Sequence, residues 1–259
     1  MPFHSKNGIE FYTFATLDQA GIKHGIFTRK GGVSPQPWST LNLGGTVGDQ
    51  RGNVVENRRR IFEILAQPVE SIFDVWQVHS ADVICADAPR PLDQPHQKGD
   101  AILTNRAGIT LAMRFADCVP VLLFDPVQKV AGITHAGWKG TVSRAAAQAV
   151  TRMQAVYGTS PADVLACIGP SIGPDHYQVG SEVAAQVQQA FGSRAHGLLT
   201  GKDDRQYLDL WAANALQLAE VGVQSIEVSA ICTACDLERW YSHRAEQGKT
   251  GRFGALISL

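Results

Sequence analysis

The sequence contains no long apolar run and no excess of charge of either sign. No stretch of about 18 apolar residues occurs, so no transmembrane helix is expected. The chain has 23 Lys and Arg residues against 24 Asp and Glu residues, which leaves a formal net charge of −1. Such a balance provides no electrostatic footprint for nucleic acid or an anionic membrane. These absences favour a small or locally recognised substrate.

Cysteine is scarce as well. The chain has 5 cysteines, an odd and scattered set that argues against a disulfide framework and for free or metal-bound thiols in a reducing cytosol. Residues 1–8 are mixed and polar, without the apolar stretch of a signal peptide. We therefore expect a cytoplasmic protein.

The sequence has neither internal repeats nor low-complexity tracts. Its longest proline-rich stretch, Asp87 to Lys98, is too short and too central to separate two domains. We expect one catalytic domain covering residues 1–259.

Short apolar runs and helical stripes alternate irregularly along the chain. The runs that predict strands are Ile22–Thr28, Ile72–Val78, Ile109–Met113, Val119–Phe124, Val130–His135, Val164–Ile168 and Ile226–Ala230. The clearest helical stripe follows Gly140 and consists of Val142, Ala146, Ala149, Met153 and Val156. Further helices are predicted over Val54–Leu65, Ser181–Phe191 and Trp211–Glu220. This mixture predicts an α+β (mixed α/β) layered sandwich, with a mixed β-sheet and flanking helices, rather than a TIM barrel.

Three residues whose side chains could bind a metal lie in three separate short segments. His79 follows Gln77-Val78, Cys118 directly precedes an apolar strand, and His135 ends a strand before a Gly-rich turn. Two imidazoles and one thiolate would give zinc three protein ligands, which is the count of a catalytic site with an open fourth position. A structural zinc site is usually closed by four ligands.

Spacing alone leaves this metal site open. A single histidine is more often a surface or satisfied core residue, and a free cysteine is most often a small buried hydrophobe. Cys118 differs from Cys85 and Cys167 because it follows a charged residue, which indicates a pocket edge. The Cys232-Thr233-Ala234-Cys235 motif has no second CxxC to close a zinc ribbon, so two thiols on a turn is the favoured interpretation.

Several short motifs together resemble one bacterial family. They are Gln77-Val78-His79, Gly99-Asp100-Ala101, Ala116-Asp117-Cys118-x-Pro120, His135-Ala136-Gly137-Trp138-x-Gly140-Thr141, Ile168-Gly169-Pro170-x-Ile172, Cys232-Thr233, Ser242-x-Arg244 and Thr250-Gly251-Arg252. The family is known as zinc-dependent purine nucleoside phosphorylases or as a peptidoglycan editing factor, and formerly as multicopper polyphenol oxidases or laccases. The resemblance runs from about Phe27 to the C-terminus.

The resemblance implies that His79, Cys118 and His135 bind zinc, with copper as an alternative. It also implies a single-domain layered sandwich, phosphorolysis of adenosine, inosine and methylthioadenosine, and deamination of adenosine. The implied partners are purine nucleosides and phosphate, without nucleic acid or membrane, and a monomer is favoured.

Further candidates follow from what this chemistry needs. Asp117 and Asp100 are candidates for proton transfer, although either could instead orient a ligand histidine. Phosphate requires guanidinium or amide donors, and the candidates for binding substrate or phosphate are Arg29, Asn57, Arg58, Ser242 and Arg244, with Arg244 also a catalytic candidate. Trp138 could stack on a purine or belong to the core.

Three other functions compete with this one. A hydrolase of cell-wall precursors would use Cys118 as a nucleophile paired with His135. A copper oxidase is disfavoured because the sequence offers no visible ligands for a second metal centre. A non-enzymatic metal-stabilised binding module is disfavoured by the open coordination position.

Overall fold

Two six-stranded sheets and one three-stranded sheet form the framework of the chain. The computed structural model describes residues 2–202 and 205–259. The strands are β1 (Phe3–Lys6), β2 (Ile9–Tyr12), β3 (Lys23–Phe27), β4 (Ile72–Phe73), β5 (Val83–Cys85), β6 (Ala101–Thr104), β7 (Thr110–Phe115), β8 (Val119–Asp125), β9 (Val130–Ala136), β10 (Leu165–Ile168), β11 (Gln178–Val179), β12 (Leu199–Lys202), β13 (Arg205–Leu208), β14 (Ser225–Val228) and β15 (Phe253–Ser258). The helices are α1 (Ala15–Gln19), α2 (Arg51–Ile64), α3 (Trp138–Val142), α4 (Ala145–Tyr157), α5 (Ser181–Phe191) and α6 (Leu210–Glu220).

Both large sheets combine parallel and antiparallel pairs. The first sheet has the order β1-β2-β3-β15-β7-β4, and only the β4–β7 pair is parallel. The second has the order β14-β10-β8-β9-β6-β5, with parallel pairs at its two edges, β10–β14 and β5–β6. The small third sheet has the order β11-β13-β12. This mixed α/β architecture confirms the predicted fold class.

Alternate side chains of a strand point to opposite faces of its sheet, and each face packs against a different layer. In β8, Leu122 and Phe124 belong to the core between the two large sheets, whereas Val121 and Leu123 pack with α4. In β15, Leu256 packs instead with α2. The order of layers is therefore helix, sheet, sheet, helix. Each fully buried Leu or Phe side chain of this kind contributes roughly 1.5–3 kcal/mol from transfer out of water.

Most predicted elements are present, with shifted ends. The helix over Ser181–Phe191 is confirmed at both bounds, and the runs Val119–Phe124 and Val130–His135 each extend by one residue. The strand predicted over Ile72–Val78 is wrong beyond Phe73. There the backbone leaves the sheet because Arg114 bonds the Val75 carbonyl and the Asp74 carboxylate. Val156, the last residue of the predicted helical stripe, lies outside the core, since it is 43% exposed.

None of the helices within residues 2–202 and 205–259 is both long and apolar enough to cross a membrane.

Candidate metal centre and its cavity

His79, Cys118 and His135 converge at one end of β8 and β9, the two central strands of the second sheet. Their ligand atoms all lie within 4.8 Å of one another. Cys118 immediately precedes β8, and His135 lies in β9 opposite Pro120, so antiparallel pairing brings the thiol and the imidazole together. His79 reaches them from the loop between β4 and β5, with its ring centroid 4.9 Å from that of His135.

Two tight backbone turns present these ligands. His79 and Asp117 both have left-handed backbone conformations, with φ of 60° and 81°. Non-glycine residues adopt such conformations rarely, and surrounding bonds must hold them there. For His79 the bonds come from Asp100, whose Oδ2 accepts the backbone N–H groups of Val78 at 3.0 Å and Ser80 at 2.7 Å.

Asp100 also orients His135. Its Oδ1 lies 2.8 Å from Nδ1 of His135, and the carboxylate is fully buried. A carboxylate on one ring nitrogen fixes the ring and leaves the other nitrogen free for a metal, an arrangement typical of metal-bound histidines. The bonds to Asp100 hold its pKa below the ordinary value although burial opposes this.

The Cys118 thiol and the His135 imidazole shift each other's pKa in opposite directions. Burial alone raises the pKa of Cys118, but the charge and hydrogen bonds of His135 and His79 outweigh it and lower the pKa to about 6. Burial likewise lowers the pKa of His135, but the Cys118 thiolate and Asp100 outweigh it and raise that pKa to about 9. The lowered pKa of Cys118 favours the thiolate, the form that binds metals and acts as a nucleophile.

The surroundings of the three donors fit a zinc ion. Two imidazoles and a thiolate are a donor set that zinc accepts, and Asp100 supplies the supporting carboxylate. The Gly137 backbone packs directly against the cluster, since a Cβ there would lie 2.8 Å from Cys118 Sγ and 3.2 Å from His79 Cδ2. The backbone thus approaches the donors more closely than any side chain would allow.

A cavity of about 270 Å³ opens beside this cluster. This volume is close to the lower end of ligand pockets, which span roughly 300–1,000 Å³. Its lining is His79, Asp117, Cys118, Gly137, Trp138, Lys139, Ile172, Tyr177 and Leu210. The sequence predictions included four of these residues, His79, Asp117, Cys118 and Trp138, and missed Gly137, Lys139, Ile172, Tyr177 and Leu210. Ile172 lies within a recognised motif and Tyr177 shortly after it, which is the only sequence signal for them.

Asp117 is held at the cavity wall by two segments distant in sequence. Its Oδ1 accepts the Thr233 hydroxyl at 2.7 Å, and its Oδ2 accepts the Arg244 backbone N–H at 2.6 Å. The Arg244 side chain donates to the Gln178 carbonyl and lies over the Tyr177 ring, with its guanidinium carbon 5.2 Å from the ring centroid. Arg244 thus stands next to a residue that lines the cavity.

The other predicted binding residues do not line this cavity. Arg29 donates to Glu246 and to the Ser39 and Leu237 carbonyls. Arg58 lies 3.9 Å from Asp74.

Asn57 and Ser242 are likewise engaged by protein groups. Asn57 is buried and bonds the Val33 backbone N–H, the Ser34 hydroxyl and the Asn42 carbonyl. Ser242 is buried and accepts the Ala245 backbone N–H.

A second group of possible metal ligands is present. His176 joins Cys232 and Cys235, and the ligand atoms of these three residues also lie within 4.8 Å of one another. The sequence-based statement that no ligands exist for a second centre was therefore wrong. It considered the CxxC motif alone, whereas His176 approaches from a segment 56 residues earlier.

Comparisons with known proteins cover nearly the whole chain. A family model described as multi-copper polyphenol oxidoreductase laccase matches residues 23–259. Purine nucleoside phosphorylase YlmD of Geobacillus stearothermophilus is 37% identical over 247 residues, which is 92% of this chain and 90% of that protein. A purine nucleoside phosphorylase of Deinococcus radiodurans is 39% identical over 242 residues, with 92% and 89% covered. The crystal structure of YlmD from Geobacillus stearothermophilus matches with a TM-score of 0.92 and 36% identity, over 99% of this chain and 98% of that one.

Proposed function

Because the chain belongs to the family described as multi-copper polyphenol oxidoreductase laccase and its relatives are named purine nucleoside phosphorylases, we propose that it cleaves purine nucleosides with phosphate. The proposed substrates are adenosine, inosine and methylthioadenosine. The observation that carries the proposal is the cavity beside His79, Cys118 and His135. It combines these three possible metal ligands with the acidic side chain of Asp117, the basic side chain of Lys139 and two aromatic rings, Trp138 and Tyr177.

The reaction exchanges one bond at the ribose for another. A phosphate oxygen forms a bond to C1′ while the bond from C1′ to the purine nitrogen breaks, and the electron pair leaves with the base. Dihydrogen phosphate loses a proton as its ester to C1′ forms, that proton is delivered to the base, and ribose 1-phosphate remains. The protein must therefore hold phosphate beside C1′ and exchange a proton with the purine.

We assign the proton exchange to Asp117. Its carboxylate lines the cavity and has a lone pair left on each oxygen after the bonds from Thr233 and Arg244. Asp100 faces His135 and the turn around His79, so we assign it a positioning role. Trp138 and Tyr177 offer apolar faces to the purine.

Phosphate needs a cation at the same cavity. Lys139 lines it, and the Arg244 guanidinium lies over Tyr177 in the cavity wall. We propose these two residues as the phosphate holders, since Arg presents a fork of donors and Lys a mobile charge. The protein-directed contacts of Arg29, Arg58, Asn57 and Ser242 favour supporting roles for those residues.

His79, Cys118 and His135 would hold zinc. Bound there with an open position, zinc would supply Lewis acidity beside the purine, which the proposed deamination of adenosine requires. Copper is an alternative occupant for the same donors. Five free cysteines favour a reducing, cytoplasmic location.

One observation favours a second candidate function. Cys118, His135 and Asp100 form a thiolate, imidazole and carboxylate series, with the pKa of Cys118 lowered to about 6. Such a series activates a cysteine nucleophile, which would attack a carbonyl carbon and release the amine or alcohol after proton transfer from His135. Water would then cleave the resulting thioester, releasing the acid and restoring the thiolate. A hydrolase of cell-wall precursors would work this way without a metal.

Purified protein incubated with adenosine or inosine, with and without phosphate, separates the candidates. Free base and ribose 1-phosphate that require phosphate, vanish after chelation and return with zinc would support the proposed phosphorylase. Inosine from adenosine without phosphate would support the deamination. Absence of any purine product in metal-loaded protein would reject both reactions.

Alkylation of Cys118 in metal-free protein tests the hydrolase. Loss of amide hydrolysis after alkylation, with full activity before it, would favour the nucleophile. Cys85→Ser provides the control for alkylation elsewhere, since Cys85 is a half-buried thiol outside both ligand groups.

A further inference from the structure

We propose that His176, Cys232 and Cys235 form a second metal site that binds Zn²⁺ and fastens two loops at the cavity wall. The site uses none of the ligands at the first cluster. The inference stands apart from the proposed reaction, because it depends only on the geometry of these three side chains and their loops.

Parallel strand pairing brings the two loops together. β10 and β14 are parallel neighbours, so the segments that follow them leave the sheet at the same end. They continue side by side: Ser171 N–H donates to the Ile231 carbonyl at 3.1 Å, and Thr233 N–H donates to the Ser171 carbonyl at 3.0 Å. The next turn after Ser171 carries His176, and it faces the CxxC segment.

His176 lies at about the distance from both sulfurs that a tetrahedral zinc site requires. His176 Nδ1 lies 3.7 Å from Cys232 Sγ and 3.6 Å from Cys235 Sγ. Zinc bonds of about 2.3 Å to sulfur and about 2.0 Å to nitrogen, at tetrahedral angles, separate nitrogen from sulfur by about 3.5 Å. All three donor atoms lie within 4.8 Å of one another, so they can meet around one ion, and C-x2-C is a usual ligand spacing.

The surroundings of this group favour a cation. Gly173 N–H points to Cys232 Sγ at 3.2 Å, which is the outer hydrogen bond that orients a metal-binding thiolate. A Cβ at Gly173 would lie 3.2 Å from that sulfur, so the close approach suits glycine. The carboxylates of Asp175 and Asp236 act on Cys235 from both loops and add negative charge. His176 and Cys235 are exposed, so an ion can enter from solvent.

A zinc ion at this position would stabilise one wall of the cavity. Ile172 and Tyr177 on the first loop line the cavity, and Thr233 between the two cysteines holds Asp117. Cross-linking the loops through His176 and the cysteines restricts the movement of these three residues. With three protein ligands rather than the four of a closed structural site, a zinc ion here would keep its fourth position open to solvent while it holds the two loops together.

Zinc content of the full chain tests the proposal. We expect two zinc ions per wild-type chain after loading with Zn²⁺ alone, and one in Cys235→Ser and in His176→Gln. Loss of a ligand should weaken the second binding step by at least about 100-fold, since even supporting residues contribute 10–100-fold. Cys85→Ser is the matched control and should keep two. Equal zinc content in wild type and Cys235→Ser would overturn the proposal.

A thiol assay on the wild-type chain gives a reading that needs no variant. In the metal-free protein both cysteines should react with an alkylating reagent, and Zn²⁺ should protect them. Peptide mapping assigns the protection to Cys232 and Cys235. Unchanged reactivity with zinc, or a disulfide between the two cysteines in protein purified with reductant, would reject the second site while leaving the phosphorolysis result unaffected.

Discussion

Asp100 and His135 are joined by a contact of 2.8 Å between Oδ1 and Nδ1, deep inside the protein. The other carboxylate oxygen accepts the backbone N–H groups on either side of His79. One buried side chain therefore positions two of the three donors, although it does not itself line the cavity.

Asp100→Asn should weaken zinc binding about 10–100-fold, because the amide offers one acceptor oxygen in place of two and gives weaker support to the imidazole. Competition with a zinc chelator measures the affinity. Asp125→Asn is the matched control: Asp125 is equally buried and accepts two backbone N–H groups, but at the far end of β8. Equal zinc affinity in Asp100→Asn and wild type would contradict the positioning role.

Gly137→Ala should disrupt the first cluster. The added methyl group would lie 2.8 Å from Cys118 Sγ, closer than carbon and sulfur approach without displacement. We expect zinc binding and turnover to fall by about tenfold or more, with the helical circular dichroism unchanged. Gly45→Ala, where nothing lies within 4 Å of the new carbon, should behave as wild type. Normal zinc binding in Gly137→Ala would show that the first cluster has room for the added methyl group.

Asp117→Asn should lower turnover about 100-fold or more while leaving zinc content unchanged, because the amide can neither take up the proton lost by phosphate nor deliver it to the departing base. Asn tolerates the left-handed backbone at this position, so the local turn should survive. Steady-state phosphorolysis and bound zinc are measured on the same preparation. Turnover at the wild-type level would reduce Asp117 to a structural residue that anchors Thr233 and Arg244.

Asp74→Asn should destabilise the fold by about 3 kcal/mol, because removing one partner of a buried ion network leaves charges unpaired. The Asp74 side chain is 1% exposed and lies within 4.0 Å of Arg58, Arg90, Arg114 and His96. Urea unfolding measures the loss. Asp87→Asn serves as the control because its side chain is 77% exposed. An equal loss of unfolding free energy in the two variants would show that the ion network around Asp74 adds no stability.

The same network predicts a pH dependence. Burial raises the pKa of Asp74, but the hydrogen bond from His96 and the charges of Arg114 and Arg58 outweigh it and hold the pKa well below its usual range. The stabilisation is therefore fully present above the unfolded value of about 3.9 and is lost as pH falls below it. Unfolding free energies from pH 7 to pH 3 should fall less steeply in Asp74→Asn than in wild type. Parallel curves would contradict this assignment.

The sequence predicted the elements that bury continuous apolar runs and missed those whose stability comes from neighbours. β8, β9 and α5 were identified because their patterns are long and unbroken. β15 was missed although it carries Phe253 and Ile257, because Gly254 interrupts its pattern. Glycine is needed there because a Cβ would lie 2.4 Å from Leu43 Cδ1.

Sequence motifs identify the individual candidate residues, but only the fold shows which of them lie together. His79, Cys118 and His135 stand in separate short motifs, yet only the pairing of β8 with β9 brings two of them into contact. The nearness of His176 to the CxxC motif depends on the parallel pairing of β10 and β14, which local sequence does not reveal. Arg29 looked like an anion-binding residue, but its charge faces Glu246.

The position of β15 has a consequence for biosynthesis. This strand lies inside the first sheet, between β3 and β7, although 137 residues separate it from the end of β7. A nascent chain that has already produced His79, Cys118 and His135 still lacks the strand that joins the two halves of that sheet. The protein must therefore remain partly open on the ribosome, and the sheet can close only after residue 258 has emerged from the exit tunnel.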